Sequence, residues 1–262
     1  MVDQMRGRRA ARGWLGGSLR FALALPLAVA MIAPFIYMIV AGLPGAEQAL
    51  RSSIGHFAMN SAIFSLAVVA GQVVTSATAA YAFARLRFPG RDRLFLAYLA
   101  VLAVPVILLV IPRFLMIDAL GWIDSYAGLI STELVSISGI FFLRQCFQAM
   151  PRDLEDAARL EGAGEWTIFR RVVVPQAAPA LTTLGVLAFA EQWRSFLWPL
   201  VAVRSSDMQV VEAGIAGLRG ARELSGPDPM AGALVAALPL LILCLFGPKF
   251  FIRGIRIPAG LR

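Results

Sequence analysis

Few residues in this chain have the types and spacing that covalent chemistry requires. Its one lysine, Lys249, stands between Pro248 and Phe250, so there is no GxxxxGK[ST] phosphate loop, and any nucleotide hydrolysis has to come from another polypeptide. The one histidine, His56, has no Cys, Asp or Glu at ligand spacing and predicts no metal centre. HExxH and GxSxG are also missing, which argues against an intramembrane hydrolase. Cys146 lies near the end of one apolar segment and Cys244 inside another, so both are expected to be free thiols.

What remains is charge in apolar surroundings. Glu133 sits inside one apolar run; it is either a functional acid or a group wetted near the outer end of a helix. Glu191, Gln192 and Arg194 sit inside another, where centring an Arg in a membrane helix costs on the order of 3 kcal/mol. Glu191 and Arg194 are three apart, so they either pair on one helix face or face a solute. Pro105 and Pro112 each remove a hydrogen bond from a third apolar run, as bends or as the lining of a pathway.

The densest mixture of charges is Pro151 to Pro179, PRDLEDAARLEGAGEWTIFRRVVVPQAAP. Asp153, Glu155 and Asp156 favour a helix start, and Gly162 accepts a left-handed stop. Leu154, Ala157, Ala158 and Glu161 fall at i, i+3, i+4 and i+7, a narrow face that lets another surface approach the backbone. The spacing predicts a short helix in water over 153–162 that grips something soluble.

The elements that must position these residues follow from composition. The 262 residues are 59% hydrophobic, against about 45–50% in soluble domains. The fold class is all-α and polytopic. A hydrocarbon core needs roughly 20 apolar residues per helix, and six stretches qualify, about 21–43, 60–84, 94–117, 127–147, 180–203 and 230–252. The basic segment 1–20 resembles a signal peptide's start, but the apolar run behind it is too long, so a retained first helix is expected. Gly45 to Ala58 reads as a short polar link, and Arg204 to Pro229 as a polar, glycine-containing loop. Gly71, Thr75 and Ala79 form a small-residue stripe suited to close helix packing.

The net charge of +8 fits a positive-inside bias better than nucleic-acid binding. With the N-terminus inside, eighteen of the 24 Lys and Arg fall on inner segments. Both termini, the tail 253–262 and the helix at 153–162 are then cytoplasmic.

Glu155 to Ala163, followed by Phe169 and Pro175, resembles the EAA signature of bacterial ABC importer permeases. Asn60-Ser61, Ala80 to Gly90, Ile111-Pro112, Leu120 to Asp124, Phe141 to Arg144, Pro151 to Leu154 and Phe196 to Leu200 are similar to the permeases of carbohydrate importers, most closely the MalG-like type. The resemblance implies half of a solute pathway in the bacterial inner membrane. It implies a second permease, more often a different chain, and a cytoplasmic ATPase dimer that holds the ATP and Mg. It also implies an extracytoplasmic solute-binding protein. No cofactor is expected in this chain, and the solute class is a sugar or related polyol. The 153–162 helix becomes the coupling helix, with Leu154, Glu155, Asp156, Ala157, Ala158, Glu161, Gly162, Ala163, Phe169 and Pro175 serving the ATPase contact. The rival is a stand-alone ion- or proton-coupled carrier using Glu133 and Glu191. Such carriers usually carry internal repeats, and none relates the first three segments to the last three.

Overall fold

The computed structural model describes residues 24–220 and 229–246, and every regular element among them is helical. Segment 1–20, the tail 253–262, the end of the sixth apolar stretch and residues 221–228 of the expected loop lie outside the described residues.

The organising element is the proline-free helix α2 (Ser53–Arg85), 33 residues long, which spans about 50 Å at 1.5 Å per residue. Ser52 starts it by accepting the Ile54 N–H. Helix α1 (Ala24–Arg51) precedes it and continues through a 3-10 turn at Leu43–Gly45. The expected polar link over 45–58 is therefore helical, and His56 lies inside α2 with Nε2 2.7 Å from the Asp207 carbonyl.

The third apolar stretch folds as two helices, α3 (Arg91–Ala100) with a 3-10 turn at Val101–Ala103, and α4 (Val106–Ala119), bent by 100°. Pro105 takes an extended conformation at that bend, whereas Pro112 is accommodated inside α4.

The fourth stretch departs from expectation. Instead of one helix over 127–147, α5 (Tyr126–Ser131) and α6 (Ile137–Ala149) flank a break that contains Glu133. Ser125 caps the start of α5 by accepting the Gly128 N–H, and Ser136 accepts the Gly139 N–H to start a new helix where a continuous one was expected. Carbonyls freed by the break are bonded from α2, where Gln72 Nε2 donates to Glu133 O and Thr75 Oγ1 to Leu134 O, both at 2.8 Å. The small-residue stripe is what admits this contact. A Cβ on Gly71 would come within 2.3 Å of Leu134 Cδ2.

Helix α7 (Asp153–Leu160) follows α6, then α8 (Glu165–Gln176), which contains a π turn over Phe169–Val173. Pro175 cannot donate to the carbonyl four residues back, which favours the wider turn. A 75° bend leads into α9 (Ala178–Trp193). The fifth apolar stretch then breaks at Arg194–Phe196 before α10 (Leu197–Ala202).

The stretch read as a loop holds α11 (Val211–Gly220). Val210, Val211 and Ala213 are buried, the Val211 N–H is held by Ser61 Oγ, and Gly214 lies so close to the Phe57 ring that a Cβ would meet it at 2.2 Å. Helix α12 (Pro229–Phe246) completes the described fold and carries Pro239.

The two largest apolar cores among the described residues lie against α2. One joins Tyr81, Leu143, Phe147, Ile168, Phe169 and Val173 beneath α7. The other joins Phe64, Val68, Ile117, Leu129, Trp198 and Val210 around the helix breaks.

Candidate functional site

Helix α7 is built as its residues predict. Its first turn carries Asp153, Glu155 and Asp156, and Gly162 closes it at φ +83°. The Gly162 N–H bonds to Arg159 O and the Ala163 N–H to Ala158 O, both at 3.0 Å, the paired pattern of a Schellman stop. Ala158 and Ala163 pack against the core below.

The helix is fastened by charge. Glu155, with its side chain 1% exposed, meets Arg85 of α2, Nε to Oε1 2.8 Å, and the Arg85 side chain is equally buried. Arg85 Nη2 also donates to the Met150 carbonyl at 2.9 Å. Arg159 donates to both Glu165 oxygens, at 2.8 and 3.2 Å, and to Asp156 Oδ1 at 2.8 Å. Tyr81 Oη, one turn before Arg85, donates to Glu165 Oε2 at 2.6 Å. Donation from Arg159, then from Tyr81, holds the Glu165 carboxyl below its ordinary range, and the same contact raises Arg159. A cavity of about 410 Å³ lies beside these groups, lined by Arg87 and Arg152 as well.

The expected shared face divides. Leu154, Ala157 and Glu161 point into solvent with Asp156 and Gly162, while Ala158 is half-buried and Glu155 is fully inward. Two outward residues escaped the sequence reading: Leu160 is 91% exposed and Trp166, at the start of α8, 66%. Phe169 is buried against the Tyr81 and Trp166 rings, at centroid distances of 5.0 and 5.3 Å, and Pro175 is exposed.

The intramembrane candidates do not form one cluster. Glu133 pairs with Arg113 of α4, whose Nη2 also donates to Thr132 Oγ1 at 2.7 Å. The Arg113 guanidinium lies 4.1 Å from the centroid of the Trp198 ring, a cation–π contact, and the Trp198 Nε1–H donates to Leu129 O. Of the two alternatives for Glu191 and Arg194, the ion pair does not form among the described residues, because α9 ends at Trp193 and Arg194 Nε donates back to the Ala190 carbonyl. Glu191 and Arg194 are exposed and Gln192 is buried. Pro105 and Pro112 are exposed.

Arg85, Tyr81, Glu165 and Arg113 were missed by sequence reasoning as well. Arg85 and Arg113 were counted only as positive charge. Their carboxylate partners lie elsewhere in the chain, Glu155 on α7 and Glu133 in the break between α5 and α6, where periodicity gives no signal.

The comparisons agree with this architecture. The family model of the binding-protein-dependent transport system inner membrane component matches residues 72–251. The arabinooligosaccharides transport system permease protein AraQ of Bacillus subtilis is 33% identical over 76% of this chain and 70% of its own length. The sn-glycerol-3-phosphate transport system permease protein UgpE of Pectobacterium atrosepticum is 32% identical over 77% of this chain and 72% of its own. A crystal structure of a bacterial ABC transporter involved in the import of the acidic polysaccharide alginate has a chain with TM-score 0.77 at 19% identity, covering 90% of this chain and 96% of that one. With α7 standing where the signature predicts a short helix between helical segments, this chain belongs to the family of inner-membrane components of binding-protein-dependent transport systems, the permease subunits of ABC importers.

Proposed function

We propose that this permease forms half of the solute pathway of an importer for a sugar or related polyol, and that α7 with its flanking turn is the element through which a separate ATPase dimer drives it. The single observation that carries the reading is the water-facing surface of α7. Leu154, Ala157, Leu160 and Glu161 project outward from a helix whose inner side is held by buried charge. An exposed Leu at 91% and an exposed Trp at 66% beside alanine-sized residues form a surface that gains by being covered.

In this reading Asp156, Gly162, Ala163 and the exposed Pro175 belong to the ATPase contact, while the buried Glu155 and Phe169 shape it from within. ATP and Mg are held by the partner ATPase. The chain crosses the bacterial inner membrane six times with both termini cytoplasmic, segments 1–20 and 253–262 included, as the distribution of basic residues favours. Residues 21–252 then form one permease domain. A second permease, of different sequence, completes the pathway, and an extracytoplasmic binding protein delivers solute. Arabinooligosaccharides and sn-glycerol-3-phosphate, named for the relatives, support a polyhydroxylated solute. Pro105, Pro112, Glu133, Glu191, Gln192 and Arg194 line or shape the route.

The test is co-expression with the ATPase and second permease, followed by ATPase assays in lipid. Gly162 holds φ +83° with open space where a Cβ would stand, so a side chain there is opposed by backbone conformation alone. Gly162→Val is expected to cost about 1–2 kcal/mol in the left-handed turn and to lower complex assembly and stimulated hydrolysis. Unchanged assembly and hydrolysis would remove α7 from the coupling role.

A further inference from the structure

The pair Arg85–Glu155 is more deeply buried than a docking helix needs. Its two side chains are each 1% exposed, and they join the short α7 to the last residue of the longest described helix. A helix of eight residues has little stability of its own in water. Its position is therefore set by what fastens it. The Schellman stop orients its far end and Ala158 packs on the core below, while polar contacts tie it to α2 at defined atoms: Arg85 to Glu155, and Tyr81 to Glu165, which in turn holds Arg159.

Helix α2 extends this connection inward. Its Gln72 and Thr75 hold the carbonyls of Glu133 and Leu134 at the break between α5 and α6. The carboxylate of the same Glu133 holds Arg113, which covers Trp198. Towards its start, Asn60 Nδ2 donates to the carbonyls of Asp207 and Gln209 at 2.7 and 2.9 Å. One rigid helix thus has polar contacts to α7, to the intramembrane break and to the stretch before α11.

We propose that Arg85 is a positioning residue for energy coupling: with Glu155 it locks α7 to α2, so that displacement of α7 is delivered to the break at Glu133 and to the 207–209 stretch. The inference rests on the proposed role of α7 and adds the internal route by which its motion reaches the pathway. Arg85 touches neither solute nor nucleotide. Its effect is on how much transport each hydrolysed ATP yields.

The experiment uses the whole reconstituted transporter with its binding protein, and reads solute uptake per ATP hydrolysed on complexes purified through the ATPase. The double variant Arg85→Met/Glu155→Leu removes both charges and leaves none buried alone. Uptake per ATP is expected to fall about tenfold, within the range of ordinary coupling energies, while hydrolysis continues. The exchanged pair Arg85→Glu/Glu155→Arg is expected to recover part of the loss, with uptake per ATP about threefold above the apolar variant, because it restores the interaction with reversed polarity although the cation at 155 then lies beside Arg159 and the acid at 85 faces the Met150 carbonyl. Arg85→Lys keeps the charge, loses the Nη2 contact to Met150, and is expected to lie between the two.

A double apolar variant that couples like the parent overturns the proposal. So does an exchanged pair that couples no better than the apolar one. If the apolar variant yields no complex, Arg85→Lys decides, and parental uptake per ATP in it overturns the proposal. These outcomes are distinct from failure of the α7 reading, in which Gly162→Val would leave assembly and hydrolysis untouched.

Discussion

The two carboxylate–guanidinium pairs that lie against α2 use the same chemistry to opposite ends. Arg85–Glu155 is enclosed by the core beneath α7, each side chain 1% exposed, while Arg113–Glu133 keeps 17% and 20% of its side chains open. The first joins one helix end to the start of another. The second sits at a break between helices, with a hydroxyl and an indole face sharing the cation. A closed pair fixes where an element stands, and its net contribution to stability is small because desolvation offsets attraction. A half-open pair with alternative partners is easier to exchange. The difference separates a fixture under α7 from a contact within reach of the pathway.

The strongest way to break this contrast is to remove one cation from each pair. Arg85→Met alone leaves the buried Glu155 carboxylate only the longer contact to Arg159 Nη2 at 3.6 Å, and is expected to cost about 3 kcal/mol, seen as a lowered unfolding temperature of the purified protein in detergent. Arg113→Met leaves Glu133 with Thr132 close by and partial access to water, so about 2 kcal/mol is expected in the same measurement. Equal losses would erase the distinction.

A smaller effect sharpens it from the exposed side of α7. Glu165 is held below its ordinary carboxylate range by Arg159 and then Tyr81. A depressed folded value means that the stabilisation is present above the unfolded value and is lost as pH falls through the folded one. Amide protection across 153–165, relative to the intrinsic exchange rate, is therefore expected to hold at neutral pH and to fall as acidification passes below the ordinary carboxylate range. Glu165→Gln should remove that acid step, and the Arg85–Glu155 contact should persist in the variant.

Much of this was legible in the sequence, and the limits have physical causes. Helix α7 could be read because acids at a helix start and a glycine at its stop act locally. The burial of Glu155 could not, since the acid that favours a helix N-terminus is also the one that reaches Arg85 on α2. The membrane stretches were visible by composition. Their breaks were hidden because an apolar run carries no face pattern once its surroundings are apolar too, although Ser136, three residues before Gly139, was available as a cap signal. Helix α11 was read as loop because its glycines count against a helix. Gly214 is there to admit the Phe57 ring. Spacing alone left Glu191 and Arg194 open between pairing and facing a solute, and it is the end of α9 at Trp193 that leaves them unpaired with each other.

The exposure of Trp166 has an optical consequence. Among the described tryptophans it is the most exposed, at 66%, compared with 38% for Trp122, while Trp193 and Trp198 are buried with their N–H groups bonded to Ala236 and Leu129 carbonyls. The indole most sensitive to solvent therefore stands next to the surface of α7, and the two driest ones supply a steady background. The chain carries a native fluorophore at the place where a partner would exclude water.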